Sequence, residues 1–323
     1  MAVSYTNYES LHPMIRAMLA YSDYSIDDRD NLISATSIMK PINMVVLERA
    51  NKGSDKQIDL IGMIPSVGGN ALHKMLEISL ENTNDETWKA LGISEPNKLD
   101  ISTEVRREKE LDGYIISGMY DVMFRYKDSK WQLGDMKSMS VYGRMIDPKK
   151  KEEEWIKQLS IYRWLNQDKD IDDIAVIFTW YTDFSNVESL RNSKYPKSRT
   201  ETINISLWSI EDTETYLKEQ ISDISNGLLR YEETNGSETG YECSDEELWS
   251  KPNGWAYYAK ATSKKATKIC KTEEEANELI AKAKDPTAYI EYRAGQKTRC
   301  SYCCVQDYCS KYPEYLAKGM IKV

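Results

Sequence analysis

Three D-x-K triplets fall within one short stretch of this chain: Asp128-Ser129-Lys130, Asp135-Met136-Lys137 and Asp147-Pro148-Lys149. Only context can choose among them. The first and third lie in turn-like sequence. Asp135 and Lys137 stand two apart in a stretch with strand character, so they share one face with Trp131 and Leu133. A carboxylate and an ammonium on an inward strand face need a reason, and a structural ion pair is the plain one. Asp121 offers another. It sits midway along the preceding strand, and a hairpin through Lys127 to Ser129 would bring it beside Asp135. Two carboxylates at that range repel unless a divalent cation lies between them, and oxygen ligation suits magnesium or manganese. Lys137 would add positive charge near an attacked phosphate and help a bound water ionise.

The elements that must hold these residues are legible from periodicity. The first third reads as helical, with apolar residues at helical spacing over 9–22 and an interrupted helix over 34–51 that breaks near Pro41. A run from Pro65 through Gly68-Gly69-Asn70 leads into a helix on which Leu72, Met75, Leu76 and Leu80 form an apolar face, and a short helix follows over 85–91. From Leu99 the period changes. Residues 100–111, 114–127 and 130–141 read as three strands joined at Asp112-Gly113 and Lys127-Asp128-Ser129, an antiparallel meander. A helix over 150–166 and a buried strand over 171–184 complete an α/β core. Residues 186–200 form a basic loop between two strands, with Arg191, Lys194, Lys197 and Arg199 against one Glu188, suited to meeting phosphates. Ser209 caps a long amphipathic helix to Tyr231. The stretch 235–245 reads as a linker. Beyond it lies a small β-β-α-β unit, with a hairpin across Ser263-Lys264, a helix from Glu273 to Ala283 and a strand at 289–292. The expected division is residues 1–232, a helical N-terminal region with the α/β core, and residues 233–323, the small unit with a cysteine cluster.

With that order in view, SGMYDVMF followed by LGDMKSMS resembles the core of the RecB-like branch of the PD-(D/E)XK nucleases. Other elements are similar to the family's as well. GGNALHKMLE resembles its glycine-led helix bearing a metal-binding histidine, here Gly69 and His73, and KQLSIYRWL resembles its Q-x-x-x-Y helix, here Gln158 and Tyr162. The likeness covers residues 68–181, about a third of the chain. It implies a restriction-endonuclease-like fold with a mixed central sheet flanked by helices. It also implies a metal site of His73, Asp121 and Asp135, with Lys137 activating water and Gln158 and Tyr162 positioning the strand. Gln158 and Tyr162 stand four apart and share a helix face, where ordinary packing is the alternative. Glu77, one turn after His73, is a candidate to orient its ring or is simply a solvated carboxylate. The middle acid is Asp135 where the family more often has Glu, one methylene shorter. The implied activity is a magnesium- or manganese-dependent deoxyribonuclease, an exonuclease on single-stranded DNA or DNA ends. A non-catalytic nucleic-acid-binding or assembly subunit, with a protein partner, is the alternative.

Four of six cysteines crowd together as Cys300, Cys303, Cys304 and Cys309. They resemble the C-terminal cluster by which relatives hold a four-iron four-sulfur group, and tetrahedral zinc is the rival for four thiolates. Those relatives take one ligand from before the histidine helix, whereas this chain has no cysteine until Cys243. Cys304 is then the nearest fourth candidate, with Cys270 in an apolar strand position and Cys243 in a polar linker.

Composition bounds the rest. The 323 residues are 41% hydrophobic and 29% charged, ordinary for a globular protein, and no apolar run is long enough to cross a bilayer. The N-terminus lacks the basic and apolar regions of an export signal, so the expected compartment is the cytoplasm. A net charge of −9 excludes a protein that coats nucleic acid by bulk electrostatics and requires any basic groove to be local.

Overall fold

Asp112 and Gly113 both have positive φ, 47° and 81°, the mirror-image turn whose twist matches that of paired strands. A two-residue turn of this kind allows one register, and the long hairpin that follows carries the candidate acids. The structure, a computed structural model, describes residues 3–8, 10–21, 27, 29–53 and 56–321.

The elements begin with β1 (Val3–Thr6), α1 (Pro13–Ala20), β2 (Leu32–Ser34), α2 (Ala35–Ile38), α3 (Ile42–Ala50) and β3 (Lys56–Asp59). A 3-10 turn then leads into α4 (Ile64–Asn82) and α5 (Asp85–Ala90). The core continues with β4 (Leu99–Leu111), β5 (Tyr114–Tyr126), β6 (Gln132–Met139), α6 (Val141–Ile146), α7 (Pro148–Leu165), β7 (Ile174–Tyr181), α8 (Asn186–Arg191), β8 (Thr200–Ser206) and α9 (Ile210–Glu233). The chain divides into two compact units, Met1–Met39 with Gly53–Ser222, and Lys40–Lys52 with Asp223–Val323.

The first unit is α/β, with a mixed six-stranded sheet in which β5 is the pivot. One edge of β5 pairs along its length with antiparallel β4. The other edge is shared: parallel β2 takes residues 115–117, and antiparallel β6 takes residues 122–124. The intervening positions, 118–121, are left outside both ladders on that edge. The sheet continues from β6 through parallel β7 to antiparallel β8. Helix α7 packs on β4, β5, β6 and β8, burying Trp155, Leu159, Ile161 and Trp164. Helix α4 contacts β4, β5 and β6.

Several expectations change. The ends of the first predicted helix, Glu9 and Ser22, lie outside the described residues. The break near Pro41 is real, for Pro41 stands at the N-cap of α3. The apolar face expected on α4 is only half-buried: Leu72, Leu76 and Leu80 are partly covered, and Met75 is exposed. The expected basic loop contains the short helix α8, because Ser185 caps it by accepting from the Glu188 backbone N–H at 3.3 Å. Two of its cations turn inward, Lys197 donating to the Ser189 carbonyl and Arg199 to the Tyr181 carbonyl. Strand β2 was hidden because three residues carry no measurable period.

The second unit holds α3, a three-stranded sheet, a two-stranded pairing and the cysteines. Its strands are β9 (Ser250–Lys251), β10 (Gly254–Tyr258), β11 (Lys268–Cys270), β12 (Tyr289–Arg293) and β13 (Gln296–Lys297), with α10 (Glu273–Ala281) and α11 (Tyr312–Ala317). The sheet order is β11-β10-β12, all antiparallel, as expected for the small β-β-α-β unit. Among the described residues, no helix is long and apolar enough to cross a membrane.

Candidate active site and thiol cluster

The gap on the edge of β5 is where the acids meet. Asp121 is the last residue before β6 joins, and the register that pairs Val122 with Gly134 places it opposite Asp135. No ladder bond forms at that pair. Instead the Asp121 carboxylate takes the place of a backbone acceptor, its Oδ2 accepting from the Met136 N–H at 2.7 Å. Its other oxygen, Oδ1, stands 3.1 Å from His73 Nδ1 on α4. That hydrogen bond is the main reason the His73 pKa is raised, against the opposing effect of its own burial.

Asp135 is 1% exposed. Burial pushes its pKa up to about 6, with Lys137 opposing and the Asp121 charge adding to the rise. Lys137 Nζ lies 2.7 Å from Oδ2. The approach is off the axis of a hydrogen bond, and Oδ2 is left with no hydrogen-bond partner. We read the contact as an ion pair that leaves lone pairs of a buried oxygen free. Such an orphan is costly in a core unless something else binds there.

The lysine is positioned by a short chain of contacts. Lys137 donates to Gln158 Oε1 at 2.8 Å, and Gln158 Nε2 donates to the Tyr162 hydroxyl at 2.8 Å. Both ends of the amide are engaged, so its orientation is set by its neighbours. Tyr162 is only 5% exposed. It fits because Gly118 lies against it: a Cβ there would stand 2.8 Å from Tyr162 Cε1 and 2.7 Å from Leu165 Cδ1. In place of strand-facing groups, the structure has Gln158 and Tyr162 holding Lys137. Glu77 pairs with Lys74 at 2.6 Å on its own helix, away from the role of ring orienter.

One participant went unread in the sequence. Glu104 has a φ of 49°, unusual for a non-glycine residue, and drops out of the ladder between Thr103 and Val105. It lies directly across from Asp121. Donor atoms of His73, Glu104 and Asp121 all fall within 4.8 Å of one another. Among the described residues, the expected trio of His73, Asp121 and Asp135 does not meet that spacing. Burial, and then the Asp121 charge, push the Glu104 pKa up to about 7. The signal was present: Glu104 and Asp121 each stand seven residues out from the closing pair Leu111 and Tyr114 of the Asp112-Gly113 hairpin.

The donor set fits a hard divalent cation. It combines an imidazole, carboxylates and a buried unpartnered oxygen at one spot.

The cysteines gather separately in the second unit. Cys243, Cys300, Cys303 and Cys309 line one cavity beside Met44 and Val305. Cys243 packs against both neighbouring apolar clusters, one of Met44, Leu47 and Val305 and one of Leu248, Cys300 and Ile321. The polar-linker reading of Cys243 is therefore corrected, since its side chain turns into the core while its neighbours stay wet. Cys304 is exposed and does not line the cavity. Cys270 is buried in its strand, 1% exposed. Burial raises the Cys243 thiol pKa to about 12 and that of Cys303 to about 11, and raises Cys300 as well.

No protein-family profile matches the chain, and no curated protein matches it. Solved structures with partial likeness include SSO0001, at 16% identity and TM-score 0.39 over 65% of this chain and 84% of that one. An alkaline exonuclease from Laribacter hongkongensis is 10% identical, with a TM-score of 0.31 over 64% of this chain and 94% of its own. A phage-related exonuclease from Haemophilus somnus 129PT is 19% identical, with a TM-score of 0.25 over 48% and 78%. At likeness this low, function must be read from the site itself.

Proposed function

We propose that this chain is a divalent-metal-dependent nuclease of the RecB-like PD-(D/E)XK type that hydrolyses phosphodiester bonds in DNA, acting as an exonuclease on single strands or ends. The observation that carries the reading is the meeting of His73, Asp121, Asp135 and Lys137 at an unpaired gap of the sheet, with a buried Asp135 oxygen left unpartnered. His73, Asp121 and Asp135 would hold magnesium or manganese. The bound ion would supply Lewis-acid stabilisation of the phosphate and lower the pKa of a water.

The chain's own residues do the rest. Asp121, tied to the Met136 N–H, keeps its carboxylate fixed relative to β6. Lys137 brings a positive charge to where negative charge builds up as water adds to phosphorus and the bond to the leaving oxygen breaks. Gln158 and Tyr162 act as positioning residues that hold the lysine on target. The test is purified protein with magnesium or manganese and end-labelled single-stranded DNA, comparing wild type with Lys137→Ala. Wild type should shorten the strand and the variant should not. Equal degradation by both would remove the catalytic assignment.

We further propose that Cys243, Cys300, Cys303 and Cys309 hold an iron–sulfur cluster, with zinc as the competing metal. Cys243 takes the place assigned from sequence to Cys304. A single zinc with bonds of about 2.3 Å would draw its sulfurs to roughly 3.8 Å apart. Among the described residues, no three of these thiols lie within 4.8 Å of one another, a spread that favours a polynuclear cluster.

A further inference from the structure

We propose that Glu104, with His73 and Asp121, forms a second cation position beside the one between Asp121 and Asp135, Asp121 serving both. The inference rests on the nuclease reading for its purpose and on geometry for its existence.

Donor atoms of Glu104, His73 and Asp121 lie mutually within 4.8 Å, the spread that one hard cation can draw together. Asp135 falls outside that set, yet it lies across the strand gap from Asp121 and keeps a buried oxygen without a hydrogen-bond partner. That oxygen is an independent mark of a ligand, because it is 1% exposed and its lysine neighbour does not satisfy it. One cation cannot use all four side chains at this spacing. Two can, if Asp121 lends one oxygen to each.

Charge points the same way. Three carboxylates converge, and the cations facing them are Lys137, paired with Asp135, and His73, paired with Asp121. Lys74, the nearest other cation on α4, is paired with Glu77. Among the described residues, Glu104 has no ion-pair partner. Like charges crowded at a half-buried place favour a divalent ion over any rearrangement of side chains that are already engaged. A paired-ion arrangement is suited to in-line displacement at phosphorus, where attacking and leaving oxygens both need charge stabilisation.

The test is manganese binding to the full chain after chelator treatment, read by isothermal titration calorimetry and by the electron paramagnetic resonance signal of free ion. Wild type should bind two ions at this site, and Glu104→Gln should lose one event or weaken it at least about tenfold, the lower end of what even an outer partner costs. His73→Gln, approaching the same position from α4, should affect the same event. Thermal unfolding in chelator checks that each variant is folded before titration. A single ion in the wild type, or unchanged binding in Glu104→Gln, overturns the proposal. Cleavage of labelled DNA is measured in parallel. Wild type that binds two ions but cuts nothing defeats the nuclease reading and leaves the cation position standing. Wild type that cuts while Glu104→Gln binds like wild type defeats only the role of Glu104.

Discussion

Asp135→Asn separates the stability of the folded chain from its chemistry. The ordinary carboxyl pKa of 3.8 is raised to about 6 in the folded chain, chiefly because the side chain is buried. The folded protein therefore keeps a proton that the unfolded chain has already released. Stability from this group is intact below 3.8, falls as pH rises toward 6, and is lost above it. At about 1.4 kcal/mol per pH unit, the loss comes to about 3 kcal/mol. The residue is 1% exposed, so solvent screening does not reduce the figure. Asparagine has no proton to lose. Its broken ion pair with Lys137 adds an offset that is constant over this pH range, and groups common to both proteins cancel. Urea unfolding of wild type and variant in chelator, from pH 4 to pH 8, should show their stability difference shifting by about 3 kcal/mol in favour of the variant, mostly before pH 7. Adding magnesium at pH 7.5 should restore wild type, by about 2.7 kcal/mol at a hundred times the dissociation constant, and leave Asp135→Asn much less changed. A stability difference that is flat across pH would refute the reasoning.

Lys137→Ala should lower single-turnover cleavage about a hundredfold or more while manganese binding by calorimetry persists, because the lysine supplies charge at phosphorus and not a ligand atom. Gly118→Ala should cost about 1–3 kcal/mol in urea unfolding, since its Cβ would meet Leu165 at 2.7 Å, and it should slow cleavage by disturbing the Tyr162 and Gln158 support of Lys137. Cys243→Ser should abolish iron content and the broad absorbance near ~400 nm, whereas Cys304→Ser should retain both.

The chemistry-bearing strands could be read in advance because their signals are local. Alternation over 100–111, 114–127 and 130–141 marks three strands, and a two-residue Asp112-Gly113 turn admits one register. That register already placed Glu104 across from Asp121, although nothing in the residues around Glu104 draws attention to it. The order of motifs likewise pointed to His73, Asp121, Asp135, Lys137, Gln158 and Tyr162 before any coordinates. Their distances and partners were another matter.

What only the tertiary structure decided depends on segments far apart in the chain. Three-residue β2 has no period of its own and is a strand only because β5 offers an edge, and its sharing of that edge with β6 opens the gap at 118–121. Helix α3 belongs with residues beyond 223, a membership that depends on packing and not on its own sequence. Cys243 looks wet among its polar neighbours and lies instead against Met44, Leu47 and Val305. Period and turn chemistry are properties of a dozen adjacent residues and are written in their order. Which edge a strand shares, and which thiol meets a cavity, depends on surfaces that exist only once distant segments have packed together.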